Sequence, residues 1–538
     1  MDMKSPLFSG CSTCDRRSFL YRLAALTGAS VLPFGMSAFS SQEVPSGSIP
    51  DKTGALKVRI LFSHNGGDVQ SVPDWPNQGY DFRPFKKAFA DSLNAGVKDV
   101  EFIPVQAATR EDADAILKQD AAAGDIAGYV VVQMNCWNTA IYAVAESGKP
   151  VLFVPMPYGG DGGWLSGISG FLNDDYPNFE IMTAFRMEDV VAMAGAFSAL
   201  KNGTVADFKK QAREWRISHT PKECKAVARD YKVKCLTPEK TKERLKGMKI
   251  LSVEATDPAV VQRVKEDFGI EIENVPFAEV NRYFDMADEK KARKLAKKWQ
   301  DDAQNVQDVT FETLVGSARF YEGMNMILKA KGANAITINC LGGCYGGILK
   351  SYPCLGFMQL QDNNLFGVCE NDIEATLTLM VFHTLTNGRM GLVSDPVLDI
   401  TRRRIIYAHC VSTRKFFGKG GKTIPYEILT HSEDRKGASI RAIMPVGYPV
   451  TTMKFNVSLK KMSIHTAVTT GNDPEDKACR TKVEAEVVGD FEKMYHTWTA
   501  WYRPVEGFFW HRVTFLGDIS NEAVAFARSI GYEVDYES

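Results

Sequence analysis

The sequence predicts an α/β fold: two successive doubly wound (Rossmann-like) α/β domains, then a C-terminal antiparallel β-rich domain, for which a barrel is one arrangement. Three observations predict it. Short apolar runs alternate with helical segments from Lys57 to Leu385, as strands buried on both faces alternate with crossover helices. Several of these runs end in polar, Gly-rich tips, where such sheets place their ligands. Beyond Asp395 the period changes: Met453, Phe455, Val457 and Leu459 alternate with polar residues, the pattern of antiparallel strands with two unlike faces.

Composition narrows the function classes. The 538 residues carry 64 basic and 65 acidic side chains, a net charge of −1, so no global field draws the chain to nucleic acid or an anionic membrane. With 45% hydrophobic residues, the chain has ordinary globular composition and enough length for several domains.

The first 40 residues read as a leader. Asp15-Arg16-Arg17-Ser18-Phe19-Leu20 precedes an apolar run from Leu23 to Phe34, broken by Gly28 and Pro33, and then the small residues around Ser37-Ala38. Adjacent arginines with Phe and Leu behind them resemble a twin-arginine export signal. That resemblance implies the twin-arginine translocase as a partner and a periplasmic or otherwise extracytoplasmic destination. The run is shorter than the roughly 20 residues needed to cross a bilayer, so no stable membrane span is expected. Residues 41–55, rich in Ser, Pro and Gly, read as a linker.

Residues 56–163 form the first predicted α/β domain. Lys57 to Phe62 is a strand ending at Ser63-His64-Asn65. Val100 to Val105, Gly128 to Gln133 and Pro150 to Val154 follow, with helical segments between them. Asn135 and Trp137, on the tip after Gln133, are candidate substrate contacts for hydroxyl groups. His64 reads as a loop residue. No G-x-G-x-x-G opens the first helix, which argues against a dinucleotide.

Residues 164–390 form the second predicted domain. Its strands are Met248 to Val253, Ala335 to Cys340 and Phe366 to Cys369, and a long helix runs from Thr310 to Gly332. The Gly-rich loop Leu341 to Gly347 lacks the Lys and Ser/Thr of a phosphate cradle. Cys340 and Cys344 read as packed thiols, because no second Cys/His pair stands at zinc-ribbon spacing. Of 11 cysteines, Cys11 and Cys14 lie in the leader; the other nine are irregularly spaced, as reduced, packed thiols would be.

Glu370 ends the strand at Cys369. Ile373 to Leu385 is an apolar helix closed by Asn387-Gly388, and Met390 to Asp395 is the next strand. In a parallel sheet Glu370 and Asp395, 395 − 370 = 25 residues apart, would emerge at one edge. The β-rich domain, residues 391–538, takes strands around Arg404 to Cys410 and Lys482 to Val487, and Trp510 to Asp518 then leads into a final helix and the strand Tyr532 to Val534.

Cys369-Glu370-Asn371-Asp372, Leu379-Met380, His383, Leu385-Thr386 and Asp395 resemble the metal-binding core of the L-fucose isomerase family, within the L-fucose/L-arabinose isomerase superfamily. Pro353-Cys354-Leu355, His511-Arg512-Val513 and Gly517-Asp518 extend the likeness. The resemblance implies a barrel-like C-terminal domain, a homo-oligomer of trimer or hexamer type, and Mn²⁺ held by Glu370, Asp395 and His511. It further implies that the two carboxylates move protons as an aldose and a ketose interconvert through an enediol, with a small carbohydrate as substrate. His409 is a second-choice ligand or a substrate contact, and His383 reads as packed. The chemistry is consistent with those residue types. A divalent ion polarises the carbonyl beside a weakly acidic C–H, and oxygen donors with one imidazole suit Mn²⁺. Which carboxylate is the base stays open. Two other readings share the scaffold: a metal-dependent carbohydrate lyase or hydrolase, and a non-catalytic carbohydrate-binding paralogue.

Overall fold

The structure, a computed structural model, describes residues 54–136, 138–161, 176–500 and 511–538. The expected leader and most of the linker lie outside the described residues, as does Trp137.

The first sheet holds β1 (Leu56–Ser63), β2 (Val100–Gln106), β3 (Ile126–Gln133), β4 (Val151–Pro155) and β5 (Phe179–Ile181), all parallel, in the order β2-β1-β3-β4-β5. The central strand β3 is buried along its whole length, which its uninterrupted apolar run foreshadows. Gly128 within it admits close packing: a Cβ there would sit 2.7 Å from the Phe197 ring and 2.9 Å from the Pro150 carbonyl oxygen.

The second sheet holds β6 (Lys249–Val253), β7 (Glu271–Val275), β8 (Ala335–Ile338) and β9 (Phe366–Cys369), parallel, in the order β7-β6-β8-β9. The chain then enters an antiparallel barrel. Its first strands are β10 (Leu392–Asp399) and β11 (Arg404–His409), followed by a ribbon of β12 (Tyr426–Leu429) and β13 (Ser439–Ala442). β14 (Pro449–Asn456), β15 (Lys461–Asn472), β16 (Thr481–Val488) and β17 (Arg512–Leu516) complete it. The order β14-β17-β10-β11-β16-β15 closes on itself through a β14–β15 ladder. A last strand, β18 (Glu533–Tyr536), lies parallel to β15.

One expectation is corrected. Asp395 does not end a strand beside β9 in a parallel sheet. It lies within β10, which pairs antiparallel with β11 (Asp395 opposite Ala408) and with β17 (Ser394 opposite Arg512). The helix Ile373–Leu385 supplies the reason. Eleven of its residues are buried, so it is apolar all round rather than along one stripe. Such a helix needs cover on every side, and the barrel provides what the sheet cannot. Phe382 stacks on Phe455 of β14, with ring centroids 5.6 Å apart, and also meets Phe515 and Phe526. The Thr378 hydroxyl oxygen accepts the Phe455 N–H at 3.0 Å. Among the described residues, no helix is long and apolar enough to cross a membrane.

Candidate metal centre

β9 delivers Glu370 at its carboxyl end through an unusual turn. Glu370 and Asn371 both adopt left-handed backbone, with φ of 65° and 52°. For a residue with a Cβ this costs about 1–2 kcal/mol, so the surroundings must hold it in place. They do so through hydrogen bonds. The Asn371 N–H donates to the Ile338 carbonyl oxygen at 3.0 Å, and its Oδ1 accepts from the Ser252 hydroxyl at 2.8 Å. Asp372 then caps the helix by accepting the Ala375 N–H at 2.7 Å.

Three neighbouring barrel strands supply the other groups. Continuing the β10–β17 register by one residue past Ser394 and Arg512 sets Asp395 opposite His511. His409 ends β11, on the other side of β10. Ligand atoms of Glu370, Asp395, His409 and His511 all lie within 4.8 Å of one another. His511 Nε2 is 3.3 Å from an Asp395 oxygen and 3.7 Å from a Glu370 oxygen. The cluster is deeply set: the side chains of His511, Glu370 and Asp395 are 1%, 7% and 15% exposed. Two carboxylates drawn this close repel each other unless a cation lies between them.

The two histidines differ in what each nitrogen can do. His511 Nδ1 lies 2.8 Å from the Asp372 carboxylate, which can only accept, so the ring proton belongs on Nδ1. The Nε2 lone pair then faces the carboxylates, and that buried atom has no hydrogen-bond partner. A carboxylate fixing the far nitrogen of an imidazole is the usual outer support of a metal-binding histidine. His409 is the reverse. Its Nδ1 accepts the N–H groups of Cys410 at 2.9 Å and Val411 at 3.3 Å, so its proton belongs on Nε2. Burial opposes charge on His409 while Cys410, Asp395 and Glu370 favour it, but a second proton on Nδ1 would point at the two backbone N–H groups, so the neutral ring protonated on Nε2 is the form that fits these hydrogen bonds. His409 therefore suits hydrogen-bond donation better than ligation.

Asp372 is the residue that sequence reasoning left without a role of its own. Burial opposes its charge, yet Lys454 and His511 outweigh that and hold the carboxyl far below its ordinary range. Lys454 Nζ sits 2.7 Å away with a side chain only 1% exposed. The barrel backs the site with a second network. Arg512 holds Glu537 through Nε at 3.0 Å and Nη2 at 2.7 Å, and also donates to the His511 carbonyl oxygen at 3.3 Å. His465 Nδ1 reaches the other Glu537 oxygen at 2.6 Å, and Tyr407 meets His465 Nε2 at 2.8 Å.

The donor set fits a divalent ion. Atoms about 2.1 Å from a common ion are at most about 4.2 Å apart, so the cluster needs only slight contraction. Oxygen donors with imidazole nitrogen are the hard-to-borderline set that such ions take.

The remaining candidates have other duties. Asn135 is buried, with Oδ1 accepting the Asn65 N–H at 2.9 Å and Nδ2 donating to the Trp75 carbonyl oxygen at 3.2 Å. Its amide braces loops at the carboxyl edge of the first sheet. Trp137 lies outside the described residues. His64 is buried against Phe82, and burial, then Lys86, lowers it to about 4. His383 is packed edge-on against Phe366 and bonded to the Arg389 carbonyl oxygen at 3.0 Å. The loop edge of the first sheet does approach the turn of the β12–β13 ribbon: the Gln78 N–H donates to the Glu433 carbonyl oxygen at 2.7 Å. Burial raises Asp74 to about 8, with the Glu433 charge adding to it.

No family model matches this chain, and no curated protein matches it. Two solved structures show weak likeness. One is an ABC-transporter solute-binding protein from Burkholderia multivorans, with an unknown ligand interpreted as α-D-erythrofuranose. It is 10% identical, with 62% of this chain and 95% of that one covered at a TM-score of 0.16. The other is an ABC-transporter solute-binding protein from Bacillus halodurans C-125 with bound myo-inositol. It is 12% identical, with 59% of this chain and 93% of that one covered at a TM-score of 0.14. Likeness at that level carries no argument about this chain.

Proposed function

We propose that this chain is an exported, metal-dependent sugar isomerase similar to the L-fucose isomerase family, interconverting an aldose and a ketose through an enediol. The supporting observation is the meeting of Glu370, Asp395, His409 and His511, drawn from two different folding units, within 4.8 Å. The residues proposed as ligands are Glu370, Asp395 and His511, and their donor chemistry favours Mn²⁺ over a thiophilic ion. A divalent ion held there supplies Lewis acidity, polarising the substrate carbonyl and making the adjacent C–H more acidic. The chain's own groups do the rest. Asp372 keeps the His511 lone pair turned inward. Glu370 and Asp395 are the carboxylates able to take a proton from one carbon and return it to the next, a contribution of about 10²–10⁴-fold. His409, with its proton on Nε2, donates to a substrate oxygen. The twin-arginine leader and a trimeric or hexameric assembly belong to the same proposal. A site assembled only by folding would be loaded before export of the folded chain.

The test is incubation of the Mn²⁺-loaded protein with a panel of aldoses in D₂O. Deuterium at C1 or C2, lost in Glu370→Gln, is the expected result. Sugar binding without exchange, indifferent to Glu370→Gln, would overturn the reading in favour of a binding protein. Bond cleavage would point to a lyase or hydrolase.

A further inference from the structure

The barrel face that carries Asp395 also carries a buried cation. Asp395 of β10 pairs with Ala408 of β11, and Ala408 pairs with Lys482 of β16. Residues directly opposite one another in antiparallel strands share a face, so the three side chains form one row across the barrel. The ends of the row are two strand spacings, about 10 Å, apart, and a single methyl group stands between them. His409 pairs with Thr481, so the start of β16 lies beside the metal centre. The Lys482 ammonium turns back towards that end and donates to the Cys479 carbonyl oxygen at 2.9 Å.

Lys482 is 1% exposed. A lysine is almost never buried to that degree without an acidic partner. Yet among the described residues no carboxylate lies within 4.0 Å of its nitrogen. The neighbouring acids are committed elsewhere. Glu484, two residues on and on the same face, binds Arg404 at 2.8 Å, and Arg404 also holds Asp399 at 3.1 Å. Glu486 accepts the N–H groups of Lys225 at 2.7 Å and Ala226 at 2.9 Å. The Asp473 N–H donates to the Lys482 carbonyl oxygen at 3.1 Å, but its carboxylate accepts from the Tyr158 hydroxyl and from the Glu475 N–H at 2.8 Å. What remains for the ammonium is one carbonyl oxygen and the Tyr158 ring, whose centroid is 5.8 Å away, at the outer limit of a cation–π contact. An ammonium has three donors, and a single hydrogen bond leaves two of them for another acceptor. Burial, then Arg441, lowers the group from 10.5 to about 8, so it is still charged at neutral pH. Tyr158 faces it from the tip after β4, at the carboxyl edge of the first sheet, where such sheets bind ligands. Its backbone is left-handed, with φ of 68°, and its N–H is held by Asp161 at 2.6 Å.

A row that starts at a carboxylate of the metal centre and ends at an unbalanced cation suits a sugar with two unlike ends. We propose that Lys482 receives an anionic group, carboxylate or phosphate, at the end of the sugar remote from its carbonyl, so that the substrate is an acidic sugar rather than a neutral one. This rests on the metal-centred reading of the site given above.

The test measures binding rather than turnover. Calorimetry follows D-glucose, D-galactose and D-mannose, with their uronates and 6-phosphates, added to the Mn²⁺-loaded full chain. At least one acidic sugar should bind about 10–100-fold tighter than its neutral parent, the range of a hydrogen bond to a charged partner. A preference confined to uronates assigns a carboxylate, and one confined to 6-phosphates assigns a phosphate. In Lys482→Met the acidic sugar and its parent should bind within about threefold of each other, and urea stability of the metal-free variant should hold or rise, because an unbalanced buried charge is gone. A merely structural lysine would lower that stability and leave the preference in place, which overturns the proposal. Wild type decides the matter should the variant fail to fold: neutral parents bound as tightly as every acidic sugar, or no acidic sugar bound at all, overturns it. The isomerase reading fails separately. Preference for an acidic sugar that takes up no deuterium removes the reaction and keeps the Lys482 site, whereas uptake by a neutral aldose at a rate unaltered in Lys482→Met does the reverse.

Discussion

Asp372→Asn replaces one carboxylate oxygen with an amide and probes three contacts together. The helix cap should survive, because Asn and Asp cap about equally well and the Ala375 N–H still finds an oxygen. Lys454 loses its counter-ion at 2.7 Å while remaining 1% exposed. Stranding a buried charge in this way costs about 3–5 kcal/mol. His511 loses the carboxylate that assigns its proton to Nδ1, which should weaken metal affinity about 10–100-fold. That is about 1.4–2.7 kcal/mol. The two losses are separable. In Asp372→Asn/Lys454→Met the stranded ammonium is gone, so stability should largely return while affinity stays low. Urea denaturation of the metal-free proteins measures the first quantity, and Mn²⁺ titration by calorimetry the second. Affinity within twofold of wild type in folded Asp372→Asn would refute the proton assignment on His511. Affinity restored by Lys454→Met would show that charge balance, not imidazole orientation, was at stake.

Glu370→Gly should uncouple binding from stability. It relieves left-handed strain of about 1–2 kcal/mol and adds about 0.5–1 kcal/mol of chain entropy to the unfolded state. Metal-free stability should therefore hold or rise slightly by urea melting, while Mn²⁺ binding is lost. Gly367→Ala should act on the site from within β9. Its Cβ would lie 2.5 Å from the Phe357 ring and 2.8 Å from the Phe357 Cα, forcing apart the strand that carries Glu370. We expect about 1–3 kcal/mol of destabilisation together with weaker metal binding. Glu537 sets an acid limit. Burial opposes its charge, but Arg512 and His465 more than offset this and lower it from 4.5 to about 2. The resulting stability, about 3 kcal/mol, is present above pH 4.5 and is lost as pH falls towards 2. The stability gap between wild type and Glu537→Gln should narrow across that window in urea melts taken at successive pH values.

What could be read from sequence follows from which interactions are local. β3 declares itself because a strand buried on both faces needs an unbroken apolar run, whereas β1 alternates Leu56, Val58 and Ile60 with Lys57 and Arg59 before its apolar end. Glu370, Asp395 and His511 do meet, but adjacency of two strands in one parallel sheet is not what brings the first two together. Nothing within Met390 to Asp395 says which strand will pair with it; the uniformly apolar helix before it held the clue. Asp372 was hidden by its own cap, a local duty that already accounts for an Asp at that position. Lys454 alternates with Met453 and Phe455, so it reads as outward and solvated, whereas closure of the barrel turns that face inward. The cysteines repeat no spacing, and only the folded chain brings the sulfurs of Cys369 and Cys410 to 3.7 Å. The tautomer of His409 depends on where two backbone N–H groups point, which no side-chain pattern encodes.

Glu370 belongs to the second sheet, whereas Asp395, His409 and His511 belong to the barrel. The centre therefore straddles a seam, and only docked halves can complete it. Anything bound there strengthens that docking by mass action: a ligand at 100 times its Kd adds about 2.7 kcal/mol. Chelation should accordingly loosen the contact between the helix Ile373–Leu385 and β14 and speed amide exchange along both, while the first sheet, which contributes no ligand, keeps its protection.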